Sequence, residues 1–304
     1  MEEVCVIFTA RERYAHAPTA LEALYANTEV PFRLLIVDAA TPKRHLRRIE
    51  AAVRGRPRVE FIVHDGYLLP NQARNLAIAS VREPFVFFLE NDCQVRPGAL
   101  ERLLALSRRT SSVAVPWLWE DGRRHFDLRL GRVTDLESGD IAISPAPDWT
   151  TPPATPEKID FFENHCFLMP RQSLEASGPL DAELNTRETV DLSLAVRRAG
   201  VSAVLVPGAE VDFFPPPPIE WDERAHYHLR WDLKRAAASN ERVRERWRIS
   251  NMPRSYNFAW RQQLRVSRLT WNIATLRPKL GRLWRLLRQR FRKAMICLPV
   301  IGYD

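Results

Sequence analysis

The sequence predicts an α/β protein organised as a mostly parallel, doubly wound sheet, and two observations carry that expectation. Apolar strand-like runs at residues 4–9, 33–38, 59–64 and 85–89 alternate with helix-like segments near 18–27, 43–54, 71–80 and 97–109. A chain that alternates in this way builds parallel strands joined by crossover helices. Polar and acidic residues then fall where the runs end, at Thr9, Asp38, Asp65 and the pair Glu90 and Asp92. Ligands of such sheets bind beyond the carboxyl ends of the strands, so the convergence marks one edge of the sheet as functional.

The first run follows Met1-Glu2-Glu3, an acidic start that is the reverse of the basic segment opening a secretion signal. The helix expected from about Pro70-Asn71 carries Arg74 near its start, where guanidinium donors and a positive helix end can meet phosphate. The fourth run, Phe85-Val86-Phe87-Phe88-Leu89, stops abruptly in Glu90-Asn91-Asp92. Two carboxylates at a strand end can hold a hard divalent cation through oxygen ligands, and such a cation neutralises a diphosphate. Alone, acids at a strand end are ordinary turn chemistry; the neighbouring strand ends give this pair its weight.

A further strand is expected over 113–118, followed by about forty irregular residues rich in Pro, Gly, Asp and Trp that end near Pro152-Pro153. Long irregular segments are often functional loops, and this one is expected to choose the acceptor. Order resumes with an apolar stretch over 159–169, a turn at 178–181, a helix over 188–199 and a strand over 203–206, before four prolines at 215–218 close the first domain. Residues 1–218 are thus expected to form the α/β domain and 219–304 a helical, Arg-rich extension.

Composition narrows the classes. With 304 residues, 45% of them hydrophobic, the chain can bury a large core. Cys5, Cys93, Cys166 and Cys297 lack metal-site spacing and suggest no disulfide framework, so a reducing cytoplasm is expected. No uncharged apolar run approaches the roughly 18 residues of a spanning helix. The net charge of +8 divides unevenly: residues 230–304 carry 19 Lys+Arg against 4 Asp+Glu, whereas residues 1–229 carry 26 against 33.

Glu188 and Asp191 lie three apart at a predicted helix start and so share a face, while Leu192, Val196 and Ala199 form the packing face. Either acid can serve as a general base in a cleft; acids at a helix start also simply complement the helix dipole. His165 is read as a hydrogen-bonded core histidine, and His226 and His228 as structural rather than metal-bound.

Order and spacing of Val4-Cys5-Val6-Ile7-Phe8-Thr9, Leu35-Ile36-Val37-Asp38, Gln72-Ala73-Arg74-Asn75-Leu76-Ala77, Phe88-Leu89-Glu90-Asn91-Asp92, Glu188-Thr189-Val190-Asp191-Leu192 and Arg197-Arg198-Ala199-Gly200 resemble the inverting family 2 glycosyltransferases over about residues 4–206. The resemblance implies the GT-A fold, a Rossmann-like nucleotide-binding αβα sandwich. It implies transfer of a sugar from a nucleotide-diphospho-sugar to an acceptor hydroxyl, assisted by Mn²⁺ or Mg²⁺. By the same resemblance Thr9, Glu12 and Asp38 line the nucleoside pocket with Asp65 as a further candidate, Arg74 neighbours the diphosphate, and Asn91 belongs to the donor site. Asp92, then Glu90, would hold the metal, and Glu188, ahead of Asp191, would be the base. Two positions depart from the usual pattern: Glu90 opens a motif that is commonly Asp-x-Asp, and Thr189 stands where many members carry Asp.

The tail has its own pattern. Leu280, Leu283, Trp284, Leu287, Phe291 and Met295 repeat at helical spacing among Lys and Arg, so 279–295 is expected to be a basic amphipathic helix. Such a helix lies on an anionic membrane surface, which would place the protein peripherally at the inner face of the membrane and suit a lipid-linked acceptor. Equally, it can pack on the catalytic domain or a second subunit. A glycan or a small molecule is an acceptor of equal standing. A nucleotidyltransferase is the competing enzyme reading, but Thr9-Ala10-Arg11-Glu12-Arg13 lacks the glycines of a phosphate loop. A non-catalytic sugar-nucleotide binder or a nucleic-acid binder is the competing non-enzyme reading. No nucleic-acid partner is expected, because the positive charge is confined to the tail.

Overall fold

A computed structural model describes residues 3–10, 12–124, 132–135, 141–144, 151–214 and 220–249. Strands β1 (Val4–Ala10), β2 (Phe32–Ala39), β3 (Val59–His64) and β4 (Phe85–Glu90) alternate with helices α1 (Ala17–Ala26), α2 (Lys43–Ala52) and α3 (Pro70–Ile78). Then come β5 (Cys93–Val95), α4 (Ala99–Thr110), β6 (Val113–Glu120), β7 (Arg123–Arg124) and a hairpin of β8 (Arg132–Asp135) and β9 (Ile141–Ser144). Strands β10 (Glu157–Ile159) and β11 (Cys166–Pro170), helices α5 (Arg171–Ser177) and α6 (Glu188–Arg198), strand β12 (Ala203–Phe213), and helices α7 (Arg224–Arg230) and α8 (Leu233–Trp247) complete the described chain.

The main sheet runs β10-β12-β6-β11-β4-β1-β2-β3. Strands β4, β1, β2 and β3 are mutually parallel, as are β12 and β6, whereas β11 lies antiparallel between the two groups. The sheet is therefore mixed and mostly parallel. Its two-residue alternation divides the core between two faces. Val4, Val6, Phe8, Leu34, Ile36, Phe87 and Leu89 pack toward α1, α2 and α4 through Leu21, Leu24, Ile49, Leu100 and Leu103. Cys5, Ile7, Leu35, Val37, Val86 and Phe88 pack toward α3, α5 and α6 through Ala73, Ala77, Leu174, Leu192 and Val196. Both faces are covered, which is why these strands read as unbroken apolar runs.

Two expected elements change. The apolar stretch over 159–169 is two strands, β10 and β11, separated by a loop that contains Glu163, Asn164 and His165. Phe161 and Phe162 are buried from that loop rather than from a strand, so apolarity there reports burial, not pairing. Strand β12 runs on to Phe213, well past residue 206, with a register irregularity between Leu205 and Glu210. The prolines 215–218 and the amphipathic segment 279–295 lie outside the described residues. Helix α6 is covered twice: Leu192 and Val196 face the sheet, while Val190 and Leu194 meet Val243 and Trp247 of α8. Residues 220–249 thus pack directly on the sandwich. Among the described residues no helix is long and apolar enough to cross a membrane.

The sheet is also tied by charge at the amino end of β2. Arg33 is bidentate on Glu83, with Nε to Oε1 at 2.7 Å and Nη2 to Oε2 at 3.0 Å. Burial would raise the Glu83 carboxyl, but the guanidinium and backbone N–H donors outweigh it and hold it at about 2, below its ordinary 4.5. The stabilisation is therefore fully present above pH 4.5 and is lost as pH falls through about 2. Glu83→Gln is expected to cost about 1 kcal/mol at neutral pH. Thermal melts should show the gap from the parent closing as the pH falls from 4.5 toward 2; a gap independent of pH would rule out the pair as its source.

Candidate active site

Register brings the functional edge together. Thr9 stands opposite both Val37 and Glu90, and Ala10 opposite Asp38. Because β11 is antiparallel to β4, its first residue, Cys166, stands opposite Leu89, and the Glu90 N–H donates to the His165 carbonyl at 2.9 Å. The ends of β2, β1 and β4 and the start of β11 therefore place Asp38, Thr9, Glu90 and His165 along one edge.

At its centre, carboxylate oxygens of Glu90 and Asp92 and a ring nitrogen of His165 all lie within 4.8 Å of one another. Both carboxylates are only 2% exposed. One Glu90 oxygen is ion-paired with Arg74 Nη2, and the other lies 2.6 Å from His165 Nδ1. Arg74 also donates to Asn71 Oδ1 and to the Asn164 carbonyl, each at 3.1 Å. Asp92 Oδ2 accepts from Arg13 Nη1 at 2.5 Å. Burial pulls the His165 imidazole down, but Glu90, by charge and hydrogen bond, and then Glu163 and Asp92 hold it at about 9. Two carboxylates and an imidazole suit a divalent transition cation such as Mn²⁺, so the donor set fits the metal that the sequence predicts.

Arg13 itself has φ 70°, a left-handed conformation that costs a non-glycine residue of order 1 kcal/mol and persists where surrounding contacts fix it. Those contacts are present: Asn91 Nδ2 donates to the Glu12 and Arg13 carbonyls at 3.1 and 3.0 Å. Asn91, expected in the donor site, thus clamps the loop leaving β1.

At the ends of β1 and β2, where the resemblance implies the nucleoside pocket, Thr9 is 3% exposed, Glu12 2% and Asp38 8%. Asp38 Oδ1 accepts the Thr41 N–H at 2.9 Å, turning the chain after β2. Burial, and then Glu12, Tyr67, Glu223 and Asp38, push the Tyr14 phenol upward, which puts these groups in one neighbourhood. Tyr14 Oη lies 2.6 Å from His226 Nδ1, and the Tyr67 and His226 rings are 5.0 Å apart. Asp65 follows β3 in an exposed position. His226 has a structural partner, as its sequence context suggested, but from a helix that reaches the pocket.

On the opposite side Glu188 opens α6, directly after Arg187 at φ 71°. Its Oε1 lies 3.0 Å from Arg230 Nη2, with both side chains largely buried. Its neighbour Thr189 donates to Glu163 Oε2 at 3.2 Å, and that same oxygen is 3.6 Å from His165 Nε2. A chain of polar contacts thus runs from the acid centre to the start of α6. Asp191 goes elsewhere: Oδ1 accepts from Trp247 Nε1 at 2.7 Å, and Oδ2 from Arg246 Nη1 at 3.1 Å, both on α8. Burial raises its carboxyl against the lowering effect of Trp247 and Arg246. The structure therefore separates the two acids that helical spacing put on one face. Arg13, Tyr14, Glu163 and Arg230 join the site without having been singled out in sequence.

A sequence model of the family described as glycosyl transferase family 2 matches residues 5–178. No curated protein sequence matches the chain. Among solved structures, GalNAc-T7 with UDP, GalNAc and Mn²⁺ is similar at TM-score 0.56 and 14% identity, over 90% of this chain and 58% of that one. This chain thus spans little more than half the length of that relative. S. aureus TarS, residues 1–349 with UDP-GlcNAc, is similar at TM-score 0.53 and 12% identity, over 93% and 78% of the two chains. The mannosyltransferase PcManGT from Pyrobaculum calidifontis with GDP-Man and Mn²⁺ is similar at TM-score 0.51 and 14% identity, over 97% and 80%.

Proposed function

Because the chain belongs to glycosyl transferase family 2, we propose that it moves a sugar from a nucleotide-diphospho-sugar to an acceptor hydroxyl with inversion. The observation that carries this reading is the meeting of Glu90, Asp92 and His165 at the edge where β1, β2 and β4 end. Neighbours of the same fold bind UDP, UDP-GlcNAc or GDP-Man, two of them with Mn²⁺, which supports a donor of that class here.

Asp92 and Glu90 would hold the cation, with His165 as a third ligand. Bound there, a divalent cation supplies positive charge to a leaving diphosphate. Arg74 fixes the rotamer of Glu90 and Arg13 that of Asp92, so neither carboxylate must be ordered when the donor arrives. Thr9, Glu12 and Asp38 would receive the nucleoside, beside the rings of Tyr14 and Tyr67. Glu188 is the base: it is buried at the start of α6, across the Thr189–Glu163–His165 contacts from the metal ligands. Inversion requires a base on the face opposite the leaving group, and the ion pair with Arg230 holds this carboxylate in place at the start of α6. Asp191, held by α8, acts on structure. Asp65, Asn91 and Arg74 fall to supporting roles around the donor.

Calorimetric titration with UDP, GDP, dTDP and CMP, each with Mn²⁺ and with chelator, tests the reading. One nucleotide should bind with the metal and lose its affinity with chelator. Absence of binding in every condition would overturn the donor assignment.

A further inference from the structure

Outside the site just described, a second group of metal-type ligands meets between α2 and the segment that enters α7. His45, Glu220 and Asp222 bring one ligand atom each within 4.8 Å of one another. Acids near a histidine do not make a site by themselves; the histidine here adds a separate observation. His45 is 1% exposed, and among the described residues neither of its ring nitrogens has a hydrogen-bond partner. A buried polar group left in that state costs about 1–3 kcal/mol, and native proteins rarely leave one so.

The ring is aimed at the acids. Its Nε2 lies 4.0 Å from Asp222 Oδ1 and 3.9 Å from Glu223 Oε1, too far for a hydrogen bond. Two ligands of one tetrahedral ion, each bonded at about 2.0–2.1 Å, sit about 3.3 Å apart. Closing the Asp222 gap thus takes less than about 1 Å of movement. Glu223 is already engaged, accepting from the Tyr14 N–H at 2.9 Å and from the Glu220 N–H at 3.1 Å, and so holds the segment in place.

A cation of another kind stands there now. Arg44 is bidentate on Asp222, with Nε to Oδ2 at 2.6 Å and Nη2 to Oδ1 at 2.5 Å, and is ion-paired with Glu220. Its side chain is 46% exposed, so it can leave to water, whereas the buried imidazole cannot. Arg44 neutralises the acids, but it spends its contacts on Asp222 and Glu220 and makes no hydrogen bond to His45; a metal ion would serve all three.

We propose that His45, Glu220 and Asp222 form a second, Zn²⁺-type site, separate from the Glu90 and Asp92 centre, with Arg44 as the competing cation. One imidazole and two carboxylates favour a borderline ion such as Zn²⁺ over Mg²⁺. Bound Zn²⁺ would staple residues 220–222 to α2, next to Tyr14, whose ring lies 5.5 Å from that of His45. The ion would thereby fasten α7 over the nucleoside side of the cleft.

The test is a Zn²⁺ calorimetric titration, with Co²⁺ absorption as the coordination readout, on the full chain carrying Asp92→Ala to disable the first centre. One site should remain in that protein. Adding His45→Ala or Asp222→Asn should weaken it roughly tenfold or more. Arg44→Met should tighten it, because the competitor is gone while every ligand stays. Unchanged binding after His45→Ala or Asp222→Asn, or no binding in the Asp92→Ala protein, overturns the proposal. If His45→Ala fails to fold, Arg44→Met decides: tighter Zn²⁺ binding upholds the site, and equal or weaker binding refutes it.

Discussion

Asp92→Ala is expected to abolish Mn²⁺-dependent nucleotide binding and to lower transfer roughly 10²–10³-fold, the usual scale for losing one element of charge stabilisation at a reacting centre. The carboxylate is 2% exposed and lies with Glu90 and His165 within 4.8 Å, so its removal would leave two of the three groups that could hold a cation. A second effect must be separated from the first. Asp92 also neutralises Arg13, whose side chain is 10% exposed, and stranding a largely buried guanidinium costs up to about 3–5 kcal/mol. Asp92→Asn keeps an oxygen acceptor for Arg13 while halving the metal's claim on the position. Melting temperature should fall in Asp92→Ala and recover substantially in Asp92→Asn, whereas Mn²⁺-dependent binding measured by calorimetry should be impaired in both. Retention of Mn²⁺-dependent binding by Asp92→Ala would remove the metal role altogether.

The first half of the fold is legible because β1, β2 and β4 are buried on both faces. Residues such as Val4, Ile7, Leu35, Ile36, Phe87 and Phe88 must all be apolar, and an unbroken run needs no tertiary information to be seen. Legibility fails where burial and pairing part company. Phe161 and Phe162 are as apolar as any strand pair, yet they fill the core from a loop. Past Leu205, Pro207 and Gly208 interrupt the apolar pattern, so β12 looks shorter than it is; pairing resumes at Glu210 opposite Trp117.

The acid centre was legible for a different reason. Glu90 and Asp92 end a strand, and strand ends in a parallel sheet share an edge, so topology alone brings Thr9, Asp38 and Glu90 together. The partners that arm these acids come from other elements. Arg13 reaches Asp92 from a left-handed backbone, a conformation that no residue type at that position announces. His165 does have the hydrogen bond expected of a buried histidine, but its partner is Glu90, and only the antiparallel entry of β11 makes them neighbours. Helical spacing put Glu188 and Asp191 on one face, but spacing has no means of knowing that α8 would arrive beside Asp191 and α7 beside Glu188.

That difference in surroundings predicts the second large effect. Glu188→Gln should lower turnover roughly 10²–10⁴-fold, the range of a lost general base, with donor binding in calorimetry and melting temperature nearly unchanged. The amide oxygen can still accept from Arg230, 3.0 Å away in the parent, so the site keeps its shape and loses only its proton acceptor. Asp191→Ala should do the reverse. It removes the acceptor for Trp247 Nε1 and the partner of Arg246, leaving a buried N–H unsatisfied at about 1–3 kcal/mol, and the melting temperature should fall more than turnover does. Helix α6 carries both acids, so each variant controls for the other: general disturbance of the helix would affect stability and rate together in both. Full turnover in Glu188→Gln, with turnover lost in folded Asp191→Ala, would exchange the two roles. It would also require Asp191 to leave α8 in the working enzyme, since both of its oxygens contact that helix here.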